Sequence, residues 1–155
     1  MTVTLVVQLP APKLSAAGNV IDLTGPAGGP AQFGDVLRFT VVMTNSGAVE
    51  VANIHSTAFN VPPGVVVLSG SGAISGSGTG FVATDSRFRG GALAPGQSAS
   101  YSLEGQVTPA VPDGLALFSL NVDADLVASI PVTGSMSIVS GAPPNRVIWL
   151  PIILR

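Results

Sequence analysis

Apolar side chains recur at every second residue along this chain, and no window of useful length shows a helical period. Residues 2–9 set the pattern. Val3, Leu5, Val7 and Leu9 share one face, while Thr2, Thr4 and Gln8 lie mostly on the other. Successive side chains of a strand point to opposite faces, so this is a half-buried strand, stopped by Pro10 and Pro12. A short strand is predicted at 19–24, followed by a Gly/Pro loop at 25–30. A long strand then starts at Gly34-Asp35, with Leu37, Phe39, Val41 and Met43 inward. Asn45-Ser46-Gly47 and Val61-Pro62-Pro63-Gly64 are turns by composition, each opening a further strand, at 48–54 and 65–68. Residues 69–80, SGSGAISGSGTG, read as a flexible loop poor in anchors. A short strand begins at Phe81. The turn Leu93-Ala94-Pro95-Gly96-Gln97 launches another, with Ala99, Tyr101, Leu103 and Val107 inward. Over 115–126 the inner row is Ala116, Phe118, Leu120, Val122, Ala124 and Leu126. Shorter strands are predicted around Ile130 and at 136–139. Many short strands with Gly/Pro turns at regular intervals imply an all-β sandwich.

The last ten residues break the alternation. Val147, Ile148, Trp149, Leu150, Ile152, Ile153 and Leu154 place apolar side chains on both faces, behind the breaker Gly141-Ala142-Pro143-Pro144-Asn145. A strand covered on both sides has this pattern. Chain ends are ordinarily polar and frayed, so an end this apolar requires cover. Each such side chain is worth roughly 1.5–3 kcal/mol when fully buried. The cover is either the chain's own core or a neighbour's. Three segments follow: 1–12, an N-terminal strand with its Pro break; 13–140, the sandwich; and 141–155, a Pro linker and apolar C-terminal strand.

Composition narrows the partners. Only 9% of residues are charged, against about 25% in an average globular protein. Little repulsion therefore keeps copies apart, which favours self-association. Six scattered basic residues and a net charge of −2 give no nucleic-acid footprint. Pro or Gly interrupts every apolar run, so membrane insertion by a spanning helix is not expected. Zero cysteines exclude disulfides, thiolate metal sites and cysteine nucleophiles. Met1 opens directly into the first strand without a basic region, so no secretory leader is read there.

Four motif pieces then stand in order. They are Gly34-Asp35-Val36-Leu37-Arg38-Phe39-Thr40-Val41-Val42-Met43-Thr44-Asn45-Ser46-Gly47, Val61-Pro62-Pro63-Gly64-Val65, Leu93-Ala94-Pro95-Gly96-Gln97-Ser98-Ala99-Ser100-Tyr101, and Gln106-Val107-Thr108-Pro109. In sequence and spacing they resemble the immunoglobulin-like repeat domain of bacterial and archaeal cell-surface proteins, a family without an assigned function. The resemblance runs over the Gly34–Val122 stretch, a little over half of the chain. It implies an immunoglobulin-like β-sandwich, here with additional N- and C-terminal strands, and an extracellular or cell-surface location. It supplies no catalytic site. Unlike the family's usual tandem arrays, this chain holds a single copy.

Candidate chemistry is sparse. His55 is the only histidine, and no Ser stands in the G-x-S-x-G elbow of a triad nucleophile, so His55 reads as a strand-end surface residue. Asn121, Asp123 and Asp125 form a row of oxygen donors at strand spacing, which suits a hard cation such as calcium, with Asp123 and Asp125 as the ligands. The same row serves equally as a solvated outer face. Phe81, Phe88, Tyr101 and Trp149 are few for a sugar-stacking platform, and Phe81 and Tyr101 fit core positions. The reading is a non-enzymatic structural subunit that needs no cofactor. It polymerises with itself into an extracellular filament, tube or sheath by strand exchange. The assembly interface is Val147, Ile148, Trp149, Leu150, Ile152, Ile153 and Leu154, with Val3, Leu5 and Val7 at the other terminus. The alternative is a surface-displayed adhesive module, with glycans as partners, or a virus-particle decoration protein.

Overall fold

The computed structural model describes residues 10–139. Eleven strands follow one another: β1 (Leu14–Asp22), β2 (Val36–Asn45), β3 (Val51–Ser56), β4 (Val65–Val67), β5 (Ala73–Gly76), β6 (Val82–Ala83), β7 (Phe88–Arg89), β8 (Gly91–Leu93), β9 (Ser98–Val107), β10 (Gly114–Ala124) and β11 (Val127–Ile138). All named strand pairs are antiparallel. One sheet runs β1-β2-β9-β4, with β5 also on β9, a second runs β11-β10-β3-β8, and β6 and β7 pair as a separate two-stranded sheet. The two faces enclose one core, the architecture of an immunoglobulin-like sandwich.

The inward rows are those the alternation marks. Leu37, Phe39, Val41 and Met43 of β2 are buried, as are Ala99, Tyr101, Leu103 and Val107 of β9 and Ala116, Phe118, Leu120 and Val122 of β10. Phe39, Phe59 and Phe118 form one aromatic cluster, with ring centroids 4.5–5.9 Å apart. Phe88 stands between Phe81 and Tyr101 in a second, at 6.0 and 5.2 Å.

Four sequence expectations need correction. The strand expected at 19–24 is β1, which starts at Leu14 and pairs with β2 from Leu14↔Asn45 to Asp22↔Leu37. The segment expected as short pieces around Ile130 and 136–139 is a single strand, β11. Pro131 interrupts the pattern without interrupting the strand, because β11 is an edge and the missing N–H breaks no ladder there. Leu126 is not inward. It sits in the turn between β10 and β11 with φ 58° and is 92% exposed. Finally, the Gly/Ser stretch 69–80 is anchored. Ala73–Gly76 pairs with β9, and Asp85 accepts the amides of Gly70 and Gly72 at 2.7 and 2.9 Å.

The four motif pieces clasp one another at the two ends of the sandwich. At one end the buried Asn45 side chain donates to the carbonyls of Val49 and Leu93, both at 2.8 Å, and accepts the Gly47 amide at 2.9 Å. Its backbone holds the following turn through Gly96 and Gln97. At the opposite end, both the amide and the hydroxyl of Thr108 donate to the Gly64 carbonyl at 2.8 Å. Gly34 donates to Val107 and Val107 back to Asp35. Gly64 holds φ +80°, with an added Cβ only 2.4 Å from the Val111 backbone, so this turn demands glycine. The resemblance therefore lies in turn-closing residues, not in chemistry.

Candidate assembly interface

Among the described residues, β1 and β11 are the outer strands of their sheets, and each has a ladder partner on one flank only, save for Ala31 at the end of β11. Midway the two edges press together where glycines allow it. A Cβ at Gly18 would stand 2.6 Å from the Thr133 carbonyl oxygen, and one at Gly134 would stand 2.7 Å from Val20 Cγ2. Past that point the edges diverge into a trough of about 820 Å³, lined by Val20, Ile21, Pro30, Leu115, Met136 and Val139 among others. A smaller groove of about 260 Å³ continues it along the seam past Asn19, Leu117 and Thr133.

Outer-face side chains contribute to the trough through Leu115, Ile21 and Val139 and to the smaller groove through Leu117, while Val20 and Met136 reach the trough from the core side. Leu115 and Leu117 of β10 point away from the core, at 65% and 55% exposure, where the alternation would normally place polar groups. Ser137 and Ser135 stand opposite them in the ladder, small enough to leave the leucines uncovered. Ile21 and Val139 add exposed apolar surface across the seam. One wall is fixed by a carboxylate staple in the 23–35 loop. Asp22 Oδ1 accepts the amides of Gly25 and Thr24 at 2.8 and 2.9 Å, and Asp35 Oδ2 accepts the Gln32 amide at 2.7 Å. Burial works against the charge on Asp22, but the Gly25 and Thr24 amides outweigh it and hold this carboxyl below its usual range.

The residues predicted to form an assembly interface, Val3, Leu5, Val7, Val147, Ile148, Trp149, Leu150, Ile152, Ile153 and Leu154, lie outside the described residues. The chain enters the described sandwich beside Asn45, where Ser46 donates to the Lys13 carbonyl. It leaves at Val139, whose amide donates to Ala31. These points are at opposite ends, because β2 runs from the trough end to the Asn45 end.

The oxygen-donor row at 121–125 is not a straight strand face. β10 is irregular between Val122 and Ala124 and ends there, which puts Asp125 in the turn. The Asp125 carboxylate accepts the Asn53 amide group at 3.1 Å, while Asp123 faces His55 across the ladder. Among the described residues, no three His, Cys, Asp or Glu side chains group as a metal cage. His55 Nδ1 lies 2.7 Å from the Asn53 carbonyl oxygen, an oxygen that orients an imidazole but activates no serine. Tyr101 is fully buried and donates to the Thr84 carbonyl at 2.8 Å, which removes its ring from any sugar platform. Burial, with a further push from the Asp85 carboxylate, raises its phenol to about 12. No helix among the described residues is long and apolar enough to cross a membrane.

Sequence reasoning did not find the trough. Its signal was present in Leu115 and Leu117, two large apolar residues in the outward register of a strand whose inner row is already complete.

No family model matches this chain, and no curated protein matches it. Among solved structures it is similar to the CARDB domain of PF1109 from Pyrococcus furiosus. The crystal structure of that domain in complex with di-metal ions aligns with TM-score 0.51 and 12% identity over 87% of this chain and 100% of the other. Its solution structure gives 0.50 and 14%, over 84% and 98%. Two looser matches are self-complemented MyfA, the major subunit of Myf fimbriae from Yersinia enterocolitica, and a family 123 glycoside hydrolase from Clostridium perfringens. MyfA aligns with TM-score 0.41 and 13% identity, over 80% of this chain and 99% of that one. The hydrolase aligns with TM-score 0.44 and 15% identity over 85% of this chain, which spans only 28% of the hydrolase. These last two carry no inference about function. The CARDB alignments show the shared all-β fold.

Proposed function

We propose that this protein is a non-enzymatic structural subunit of an extracellular filament, tube or sheath, and that its copies join by exchanging terminal strands between neighbouring β-sandwiches. The observation that carries this reading is the apolar trough between β1 and β11, which among the described residues are the outer strands of their sheets. Unpaired strand edges flanked by apolar side chains are templates for strand addition, and natural sandwiches normally protect them with charge, Pro or a covering element. Here the outer positions hold Ile21, Leu115 and Leu117, and few charges are available to oppose contact. Strand addition supplies affinity through backbone hydrogen bonds and register through alternate side chains in pockets. A contact that joins one end of a copy to the side of the next does not close on itself, so it propagates. The extracellular location rests on the resemblance to cell-surface repeat domains.

Sedimentation of the full chain over a wide concentration range tests the reading. Species growing without a fixed size are expected, and a chain lacking residues 146–155 is expected to sediment as a folded monomer. A full chain that stays monomeric throughout contradicts it.

A further inference from the structure

We infer that the trough between β1 and β11 is the acceptor site for residues 146–155 of a second copy of this chain. This rests on the strand-exchange reading above and assigns its donor and its acceptor. The chemistry agrees. The trough presents Val20, Ile21, Leu115, Met136 and Val139, and the segment brings seven large apolar side chains, Trp149 among them. A segment with apolar residues on both faces suits a slot whose two walls belong to different sheets.

A tight hairpin back onto β11 of the same copy is closed to the segment, and at that end of the trough a donor from another copy packs through side chains, not through ladder pairing with β11. To fold back as a hairpin, the segment after Val139 would pair first with the final residues of β11. On the free flank of β11, those groups are already engaged. The Ser137 carbonyl accepts the Ala31 amide at 2.9 Å, and the Val139 amide donates to the Ala31 carbonyl at 3.0 Å. The other flank holds β10. Pro143 and Pro144 oppose a tight return as well, since proline-rich segments favour extended backbone at about 3.1 Å per residue. Residues 140–145 thus suit a spacer that carries the donor away from its own body.

Because the chain contains no cysteine, engineered thiols report the contact without background. Two full-length chains are prepared, one with Leu115→Cys and the other with Ile152→Cys. Leu115 is 65% exposed, so its substitution leaves the core untouched. Mixing and mild oxidation are expected to give a crosslinked dimer containing one chain of each kind. A single chain carrying both substitutions is expected to give a ladder of covalent oligomers. Crosslinking within one chain, seen as a faster-migrating monomer, overturns exchange between copies. Assembled material without crosslinks overturns the trough as acceptor and leaves polymerisation standing. A chain that never assembles overturns both. As an independent readout, Leu115→Asp in the full chain is expected to reduce assembled material at least tenfold while the sandwich stays folded by circular dichroism. Unchanged assembly contradicts the assignment.

Discussion

Tyr101 shows how a single side chain joins a strand to the loop across it. Its ring fills the core between β9 and β7, and its hydroxyl holds the Thr84 carbonyl. The folded state keeps the phenol neutral, so its titration moves up from 10.0 to about 12. The sign follows from linkage. A group that holds its proton more tightly when folded contributes fully below its unfolded value, and the contribution is lost as pH rises through the folded one. The contribution of Tyr101 to stability in urea is therefore expected to be constant below pH 10 and to fall between about 10 and 12. As this is the only tyrosine, tyrosinate absorbance reads it directly. Tyr101→Phe should abolish this pH dependence and cost about 1 kcal/mol at neutral pH. Titration near 10 in the folded protein contradicts the account. Asn45 is the second test at this scale. Asn45→Ala orphans the Val49 and Leu93 carbonyls and the Gly47 amide, and is expected to lower unfolding free energy by about 2–3 kcal/mol in urea titrations. The buried identities of β2 and β9 were legible, since a period of two assigns each side chain to a face. Leu126 was not. Hydrophobic pattern alone cannot mark where a strand stops and its turn begins, and the left-handed φ there has no sequence signal in leucine.

At the scale of elements, strand order and edges matter more than strand content. The Gly/Ser stretch shows the difference. Composition suggests a mobile loop, but pairing of β5 with β9 and the Asp85 carboxylate fix it from outside. The long-range partner decides the outcome, and a local reading does not contain it. The amides of Gly72 and Gly70 hold the Asp85 carboxyl below its ordinary range, so the clasp persists at neutral pH. Asp85→Ala is expected to raise hydrogen exchange at Gly70 and Gly72 by more than tenfold while β9 keeps its protection. Unchanged exchange at both glycines sinks the clasp. The single strand β11 was hidden for a related reason. Pro131 reads as a stop unless the strand is known to be an edge, and edge status belongs to the assembled sheet. The close approach of β1 and β11 makes a further demand. A valine at Gly18 would drive its side chain toward the Thr133 carbonyl, and Gly18→Val is expected to destabilise by about 1–3 kcal/mol by calorimetry.

For the whole molecule, the sandwich was legible because strands and turns alternate along its length. The trough was not, because it forms between the edge strands of two different sheets. Leu115 and Leu117 hinted at it, but a lone exposed leucine is ordinary, and only their position beside the seam gives them meaning. Low charge and the apolar trough beside the β1 and β11 edges support the end-to-side joining proposed above. Negative-stain electron microscopy of the concentrated full-length protein tests that claim most directly. Ordered fibres or tubes of uniform width are expected, disappearing when residues 146–155 are removed, whereas a field of discrete single particles at high concentration contradicts the account.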